Sequence, residues 1–170
     1  RHIRWLASGR VRVVSLPKVG ELPPRADAVA LTSDDDFETF GVLAAPLLRE
    51  YRLPARLFVV PGHVGGTNAW GGVVDPRVPT LPLLDWAALG RLAEGPVTLG
   101  APTLTHPHLT ALSGDELEQE LGGAASRIEA ETGVTPAAGA YTVGDVNANV
   151  AEVAGRRRQR VGTADQRAGG

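Results

Sequence analysis

Three adjacent carboxylates are the first group of residues that could carry out chemistry. Asp34, Asp35 and Asp36 directly follow the apolar run 28–33, which has the composition of a buried parallel strand. Neighbouring carboxylates repel one another, and this raises their pKa values unless a cation or hydrogen-bond donors compensate the charge. A solvated acidic turn explains the triplet equally well when it is taken alone. Its position directly after a strand favours a site, because α/β folds place ligands at the carboxyl ends of their strands.

The second group lies in segment 102–108, which holds two of the four histidines of the chain, His106 and His108. An imidazole close to paired carboxylates is a ligand combination that Zn²⁺ accepts. A lone histidine is more often a structural residue, so this segment predicts a metal site only if the fold brings it to the aspartates. A third group, residues 141–145, is a turn after a strand that could direct backbone N–H groups into a cleft.

Short apolar runs alternate with helical patterns along the chain, and this alternation predicts a mostly parallel sheet with crossover helices. The predicted strands are 11–16, 28–33, 55–60, 97–99, 137–141 and 160–163. The predicted helices are 37–51, 86–94, the stretch from Ser113 to Gly133, and 147–154. Segment 63–82 is rich in Gly and Pro without periodicity, which indicates a long surface loop of the kind that is often functional.

Two local signals make the helix assignments more specific. Ser113 and Glu116 have the spacing of a capping box at the start of the third predicted helix. Pro46 lies inside the predicted helix 37–51, and we expect it to bend that helix because proline has no backbone N–H to donate.

Composition excludes several classes of function. The chain has 170 residues, is 43% hydrophobic and contains no cysteine, which excludes disulfides, thiolate metal sites and cysteine nucleophiles. A net charge of −2 with both signs interspersed gives no support for nucleic-acid binding. No apolar run is long enough for a transmembrane helix. The sequence does not begin with Met, so we expect that the native N-terminus is absent.

The three groups, in this order, resemble the motifs of the polysaccharide deacetylases of the NodB-homology type, carbohydrate esterase family 4. Residues 32–36 stand where that family has Thr-Phe-Asp-Asp-Gly, and residues 102–107 where it has His-Ser/Thr-x-x-His-Pro. Residues 139–144 align with Phe-Ala-Tyr-Pro-Tyr-Gly, and the resemblance extends over most of the chain, from about 5 to 163.

The resemblance implies an α/β fold, a partial, distorted (β/α) barrel of the NodB-like type, in one domain over residues 1–170 that is C-terminally incomplete. It implies metal-dependent hydrolysis of N-acetyl groups on hexosamine polymers. By position in the motifs, Asp34 is the general base, and Asp35 and His106 are metal ligands. The backbone N–H of Val143 faces the oxyanion, and Tyr141 lines the cleft.

Two departures from the motifs bear on that assignment. Pro102 stands where the family has its first metal-binding histidine and offers no ligand atom, so we expect the divalent ion, Zn²⁺ by resemblance, to be weakly bound or absent. Asp36 replaces a glycine, where we expect the backbone to need a positive φ. His108 is one alternative third ligand, since side chains two apart on an extended segment share a face.

Three hypotheses about function therefore stand: an active N-deacetylase that acts on an N-acetylated glycan, a catalytically inactive member that only binds the glycan, and a scaffold without ligand. We expect the late segment that supplies a general-acid histidine in this family to be missing. A secreted or cell-envelope location follows from the resemblance alone.

Overall fold

The computed structural model describes residues 2–72, 76, 79–136, 138–140, 144–156 and 160–162. Its strands form parallel pairs in three sheets, and within the described residues they do not close into a barrel. The sheets are β1 (Arg12–Val13) with β2 (Ala28–Val29), the central sheet of β3 (Leu31–Ser33), β4 (Ala55–Phe58) and β5 (Val97–Gly100), and β6 (Ala138–Ala140) with β7 (Arg160–Gly162). The architecture is therefore α/β with partial parallel sheets, as the sequence pattern predicts.

In the described part of the chain, the helices are α1 (His2–Leu6), α2 (Leu16–Val19), α3 (Ala45–Glu50), α4 (Trp86–Ala93), α5 (Gly114–Thr132) and α6 (Ala148–Arg156). One helix, α1, precedes β1, and the other five lie in connections between strands. The predicted capping box is present at the start of α5, where Ser113 and Glu116 each bind the other's backbone N–H, and the helix ends at Gly133 with φ of 70°. Among the described residues, no helix is long and apolar enough to cross a membrane.

The core sits around the central sheet. All four residues of β4 are buried, because β4 lies between β3 and β5 and is covered on both faces. Its register places Leu57 opposite Ser33 on one side and Leu99 on the other. The main apolar cluster packs side chains of β4 and β5 against α4 and α5, including Leu57, Val59, Leu89, Val97, Leu99 and Ile128.

The first predicted strand is too long. β1 covers only two residues, and Leu16 already begins α2. Pro17 lies in the first turn of α2, where its missing N–H would have no partner in the helix in any case. The sequence pattern therefore merged a short strand with the start of a helix.

Where the sequence predicts a bend in helix 37–51, the structure has a π-helical turn, Phe40–Ala44, which runs directly into α3. Ala45 N–H donates to the carbonyl of Phe40, five residues earlier. Pro46 follows in the first turn of α3, where it has no N–H to donate to the preceding turn. The helix continues through the proline because the wider turn changes the hydrogen-bonding pattern just before it.

Candidate functional site

Asp35 and His106, far apart in the sequence, come together at the carboxyl-terminal edge of the central sheet. The acidic turn (residues 34–36) follows β3, and the histidine segment (residues 103–108) follows β5. His106 Nε2 lies 3.8 Å from Asp35 Oδ1, with 14% and 22% of the two side chains exposed. Asp34 is exposed beside them. Two of the three predicted groups thus form one half-buried cluster.

The acidic turn reverses the chain at Asp35, whose φ of 57° is in the left-handed region. The expectation that Asp36 needs the positive φ is wrong by one residue. Asp36 instead points inward and is fully buried; its Oδ1 accepts a hydrogen bond from Val60 N–H at 3.0 Å. Its carbonyl accepts from Leu84 N–H at 2.7 Å, so this one residue joins the turn to two other segments.

The histidine segment also contains a left-handed residue, His106 itself, with φ of 64°. Its N–H donates to the hydroxyl of the buried Thr103 at 3.2 Å. The neighbouring loop approaches closely on one side: Gly62 N–H donates to the Leu104 carbonyl at 2.8 Å. A Cβ at Gly62 would lie 2.6 Å from that carbonyl oxygen, so only glycine fits there.

Two aromatic residues that the sequence analysis did not select complete the surroundings of His106. The Trp70 ring stacks on the His106 ring with centroids 4.5 Å apart and an interplanar angle of 19°. His63 contacts the same indole edge-on at 5.0 Å. Both belong to the stretch that the sequence predicts only as a long loop. The concentration of a histidine and a tryptophan in a Gly-rich segment was the signal that could have identified them.

Burial shifts the titration of the cluster. It raises the pKa of Asp35 to about 6, and the charge of Asp34 adds to the effect. Burial also raises the pKa of Asp36 to about 6, although the hydrogen bond from Val60 N–H opposes the shift. The pKa of His106 is lowered, first by burial and then by the nearby His63 and His108. Two of the three carboxyl groups of the acidic turn therefore titrate above the ordinary range of an aspartate.

The donor atoms of the cluster do not complete a catalytic metal site. Asp35 and His106 offer ligand types that Zn²⁺ accepts, but catalytic zinc has three protein ligands. Pro102 is buried and has no donor atom, and no group of three His, Cys, Asp or Glu in the described part of the chain is arranged to hold an ion. His108, the alternative ligand, has a side chain that is 78% exposed and lies 3.8 Å from Asp145.

Tyr141 and Val143, the predicted cleft and oxyanion residues, lie outside the described residues. The adjacent Asp145 is described. Its Oδ2 accepts hydrogen bonds from the N–H and the hydroxyl of Thr110, at 3.0 and 2.9 Å. The first of these contacts is the main reason that the pKa of Asp145 is lowered. Asp145, the last residue of the third group, is therefore bound to the chain just after the histidine segment.

Comparisons with known proteins agree with this architecture. Poly-β-1,6-N-acetyl-D-glucosamine N-deacetylase from Staphylococcus aureus is 36% identical over 73 residues, which cover 39% of this chain and 24% of that protein. The match thus spans about a quarter of the length of these curated relatives. A deacetylase from Streptococcus pyogenes, solved in complex with acetate, superposes with a TM-score of 0.75 at 19% identity, covering 94% of this chain and 68% of its own.

IcaB from Ammonifex degensii superposes with a TM-score of 0.75 at 20% identity, covering 95% of this chain and 72% of its own. At such identities the two structures establish the fold, which is the NodB-like deacetylase fold that the resemblance implies. The sequence model described as polysaccharide deacetylase matches residues 21–161, the greater part of the chain. The chain therefore belongs to the polysaccharide deacetylase family.

Proposed function

We propose that this protein acts on N-acetylated hexosamine polymers as an N-deacetylase of low activity. The observation that carries the proposal is the approach of Asp35 and His106 to 3.8 Å at the edge of the central sheet, with Asp34 beside them. This is the edge at which α/β folds bind ligands. Hydrolysis of an acetamide needs a base for water and a donor for the developing oxyanion. Asp34 is the candidate base in this cluster, and the resemblance supplies the candidate donor, Val143 N–H.

In this proposal each candidate residue has one role. Asp34, exposed at the edge of the cluster, accepts the proton of the attacking water. The N–H of Val143 donates to the oxyanion, and Tyr141 lines the cleft. Asp35 and His106 are the metal ligands of the resemblance, but with two donors we propose that a divalent ion binds weakly or not at all. The low activity follows from that incomplete donor set.

Named relatives support the type of reaction and the substrate class. The S. aureus relative is an N-deacetylase of poly-β-1,6-N-acetyl-D-glucosamine, and the S. pyogenes structure holds acetate, the acid that deacetylation releases. Another structural neighbour, with a TM-score of 0.60 at 18% identity, is a mutant of a family pseudoenzyme with restored activity. We extend the proposal to a secreted or cell-envelope location, where such polymers occur.

The second candidate function is glycan binding without hydrolysis. The buried Pro102 favours it, because this residue removes one donor from the site while leaving the fold around it intact. The two candidates make different predictions about turnover but the same prediction about binding.

Acetate release from poly-β-1,6-N-acetylglucosamine fragments, measured together with fragment binding, distinguishes the candidates. We expect slow release that Asp34→Asn abolishes and that the exposed control Asp27→Asn leaves unchanged. Binding without release, in both the parent chain and the control, would identify a glycan-binding member. Absence of both binding and release would contradict the proposed function.

A further inference from the structure

The position of His106 depends on a backbone conformation that its own residue type does not favour. A non-glycine residue with φ near 60° is uncommon and persists only where surrounding contacts determine it. The histidine segment has no regular secondary structure between β5 and the three-ten turn Leu109–Ala111. One supporting contact is local, the hydrogen bond from His106 N–H to the Thr103 hydroxyl. Further contacts that hold the segment, with the His106 ring 3.8 Å from Asp35, come from elsewhere in the fold.

Glu120, on the second turn of α5, supplies such contacts to the residue directly before His106. Its Oε2 accepts from Thr105 N–H at 2.9 Å, and its Oε1 accepts from the Thr105 hydroxyl at 2.8 Å. The Glu120 backbone carbonyl accepts from Leu104 N–H at 3.1 Å. One residue of the helix thus receives three hydrogen bonds from two consecutive residues of the segment.

The opposite side of the segment is also held. Gly62 contacts the Leu104 carbonyl, and Trp70 covers the His106 ring. These contacts limit how far the segment can shift, but neither restrains the Thr105 N–H or hydroxyl. Two charge-assisted hydrogen bonds to one carboxylate fix both the direction and the rotation of Thr105, and with it the start of the left-handed turn.

We propose that Glu120 is a positioning residue, which sets the orientation of the His106 ring toward Asp35 and Trp70 through its bidentate contact with Thr105. The effect of Glu120 on the orientation of the His106 ring does not depend on which reaction the protein catalyses. The consequence for catalysis, loss of the productive Asp35–His106 arrangement, rests on the proposed function. The contacts of Glu120 with Thr105 are present in the chain by itself, so we expect their effect on His106 to be measurable in the free protein.

The stacking of Trp70 on His106 provides a readout that does not need activity. A proton of an imidazole over an indole face shifts upfield, and the chain has only four histidines to assign. We would record imidazole ¹H–¹³C spectra at pH 8, where an ordinary histidine is neutral. The variants are Glu120→Ala, Glu120→Gln, which keeps one acceptor, and Thr105→Val, which keeps the backbone contact. Asp115→Asn on the same helix is the matched control.

The expected result is a graded loss of the His106 upfield shift, largest in Glu120→Ala and smaller in Glu120→Gln and Thr105→Val, with Asp115→Asn unchanged. A lower melting temperature with an unchanged His106 shift would show a merely structural role and overturn the proposal, as would equal losses in the control. If Glu120→Ala does not fold, the two milder variants decide the question. Failure of the parent chain to release acetate would contradict the proposed function but leave this spectral result unaffected.

Discussion

The acidic turn and the histidine segment each hold a non-glycine residue in a left-handed conformation, but different kinds of contact support the two residues. Each presents a left-handed residue, Asp35 or His106, to the other across the edge of the central sheet. In the acidic turn the supporting side chain is the next residue, Asp36, which is fully buried. In the histidine segment the supporting side chain is Glu120, which belongs to a helix and is partly exposed.

Asp36 and Glu120 differ in how much solvation their carboxyl groups lose. Asp36 carries an ionisable group into the interior, where its Oδ2 has no hydrogen-bond partner in the described structure and its pKa is raised to about 6. Glu120 remains in contact with water and forms two bonds with one residue. A supporting side chain next to the turn, such as Asp36, needs little chain ordering to reach its place, but burying its carboxyl group costs solvation free energy. A supporting side chain on a distant helix, such as Glu120, reaches its place only when the helix packs correctly.

We expect the largest effect, on zinc affinity and on acetate release, from a histidine at position 102, where the resemblance expects a third metal ligand. Pro102→His should raise the affinity for zinc by at least ~10-fold, since even second-shell partners contribute that much. It should also increase acetate release, because three ligands leave one open position for water. Zinc per chain after dialysis against a mild chelator measures the first effect, and acetate release the second.

Two further variants control that experiment. Ala111→His places a histidine at an exposed position outside the cluster and should not increase zinc retention. Asp34→Asn in the repaired chain should abolish the gain in acetate release while zinc stays bound. Stoichiometric zinc in the parent chain would contradict the two-donor interpretation, and an unchanged rate with Asp34→Asn would exclude Asp34 as the base.

The buried support should make the stability of the acidic turn depend on pH. A carboxyl whose pKa is about 6 in the folded chain and 3.8 otherwise destabilises the fold increasingly as pH rises from about 4 to 6. At pH 7.5 the destabilisation by Asp36 is on the order of 3 kcal/mol, and about half of it is relieved at pH 5.

Asp36→Asn removes this ionisation and retains an acceptor for Val60 N–H. We expect the difference in unfolding free energy between Asp36→Asn and the parent to fall by on the order of 1 kcal/mol from pH 7.5 to pH 5 in urea titrations. The comparison is needed because the lowered pKa of His106 destabilises the fold in the opposite direction as pH falls. A difference independent of pH would contradict the burial of a titrating Asp36.

The close contact behind the histidine segment can be tested with two glycines. Gly62→Ala places a Cβ against the Leu104 carbonyl and should destabilise the fold by roughly 1–3 kcal/mol, as overpacking does elsewhere. Gly90→Ala, within α4 and with no atom within 4 Å of its added Cβ, should instead stabilise by roughly 0.5–1 kcal/mol. Chemical unfolding of both variants measures the difference between their unfolding free energies. If the two substitutions change stability equally, the histidine segment moves aside for the added Cβ without cost.

The smallest effect is expected at the start of the helix that carries Glu120. Ser113→Ala removes one half of the capping box and should cost about 1 kcal/mol of stability. The His106 ring signal should not change, because Glu120 lies beyond the first turn and retains its bonds to Thr105. A loss of that signal would show that the orientation of His106 follows helix stability rather than the Glu120 contact.

Local physics was sufficient for much of the fold. Three features depend on residues close together in sequence, so the sequence pattern predicts them well: the strand β4, which is apolar except for Arg56, the capping box at Ser113, and the left-handed Gly133 that ends α5. The same holds for the placement of the acidic turn and the histidine segment after strands. The strand predicted over 11–16 was wrong in length because a strand signal and a helix signal overlap there. The π-helical turn before Pro46 was not predicted, although a disturbance of the helix at the proline was.

Sequence alone determined the family. The resemblance also indicated which residue types to expect at the candidate site, with Pro102 where a ligand histidine is expected. Only the tertiary structure decided which residues surround that site. Three contacts join segments that are far apart in the chain: the approach of Asp35 to His106, the stacking of Trp70 on His106 and the contact of Glu120 with Thr105. No local propensity specifies such contacts, because they form only when packing of the central sheet against α5 brings the segments together.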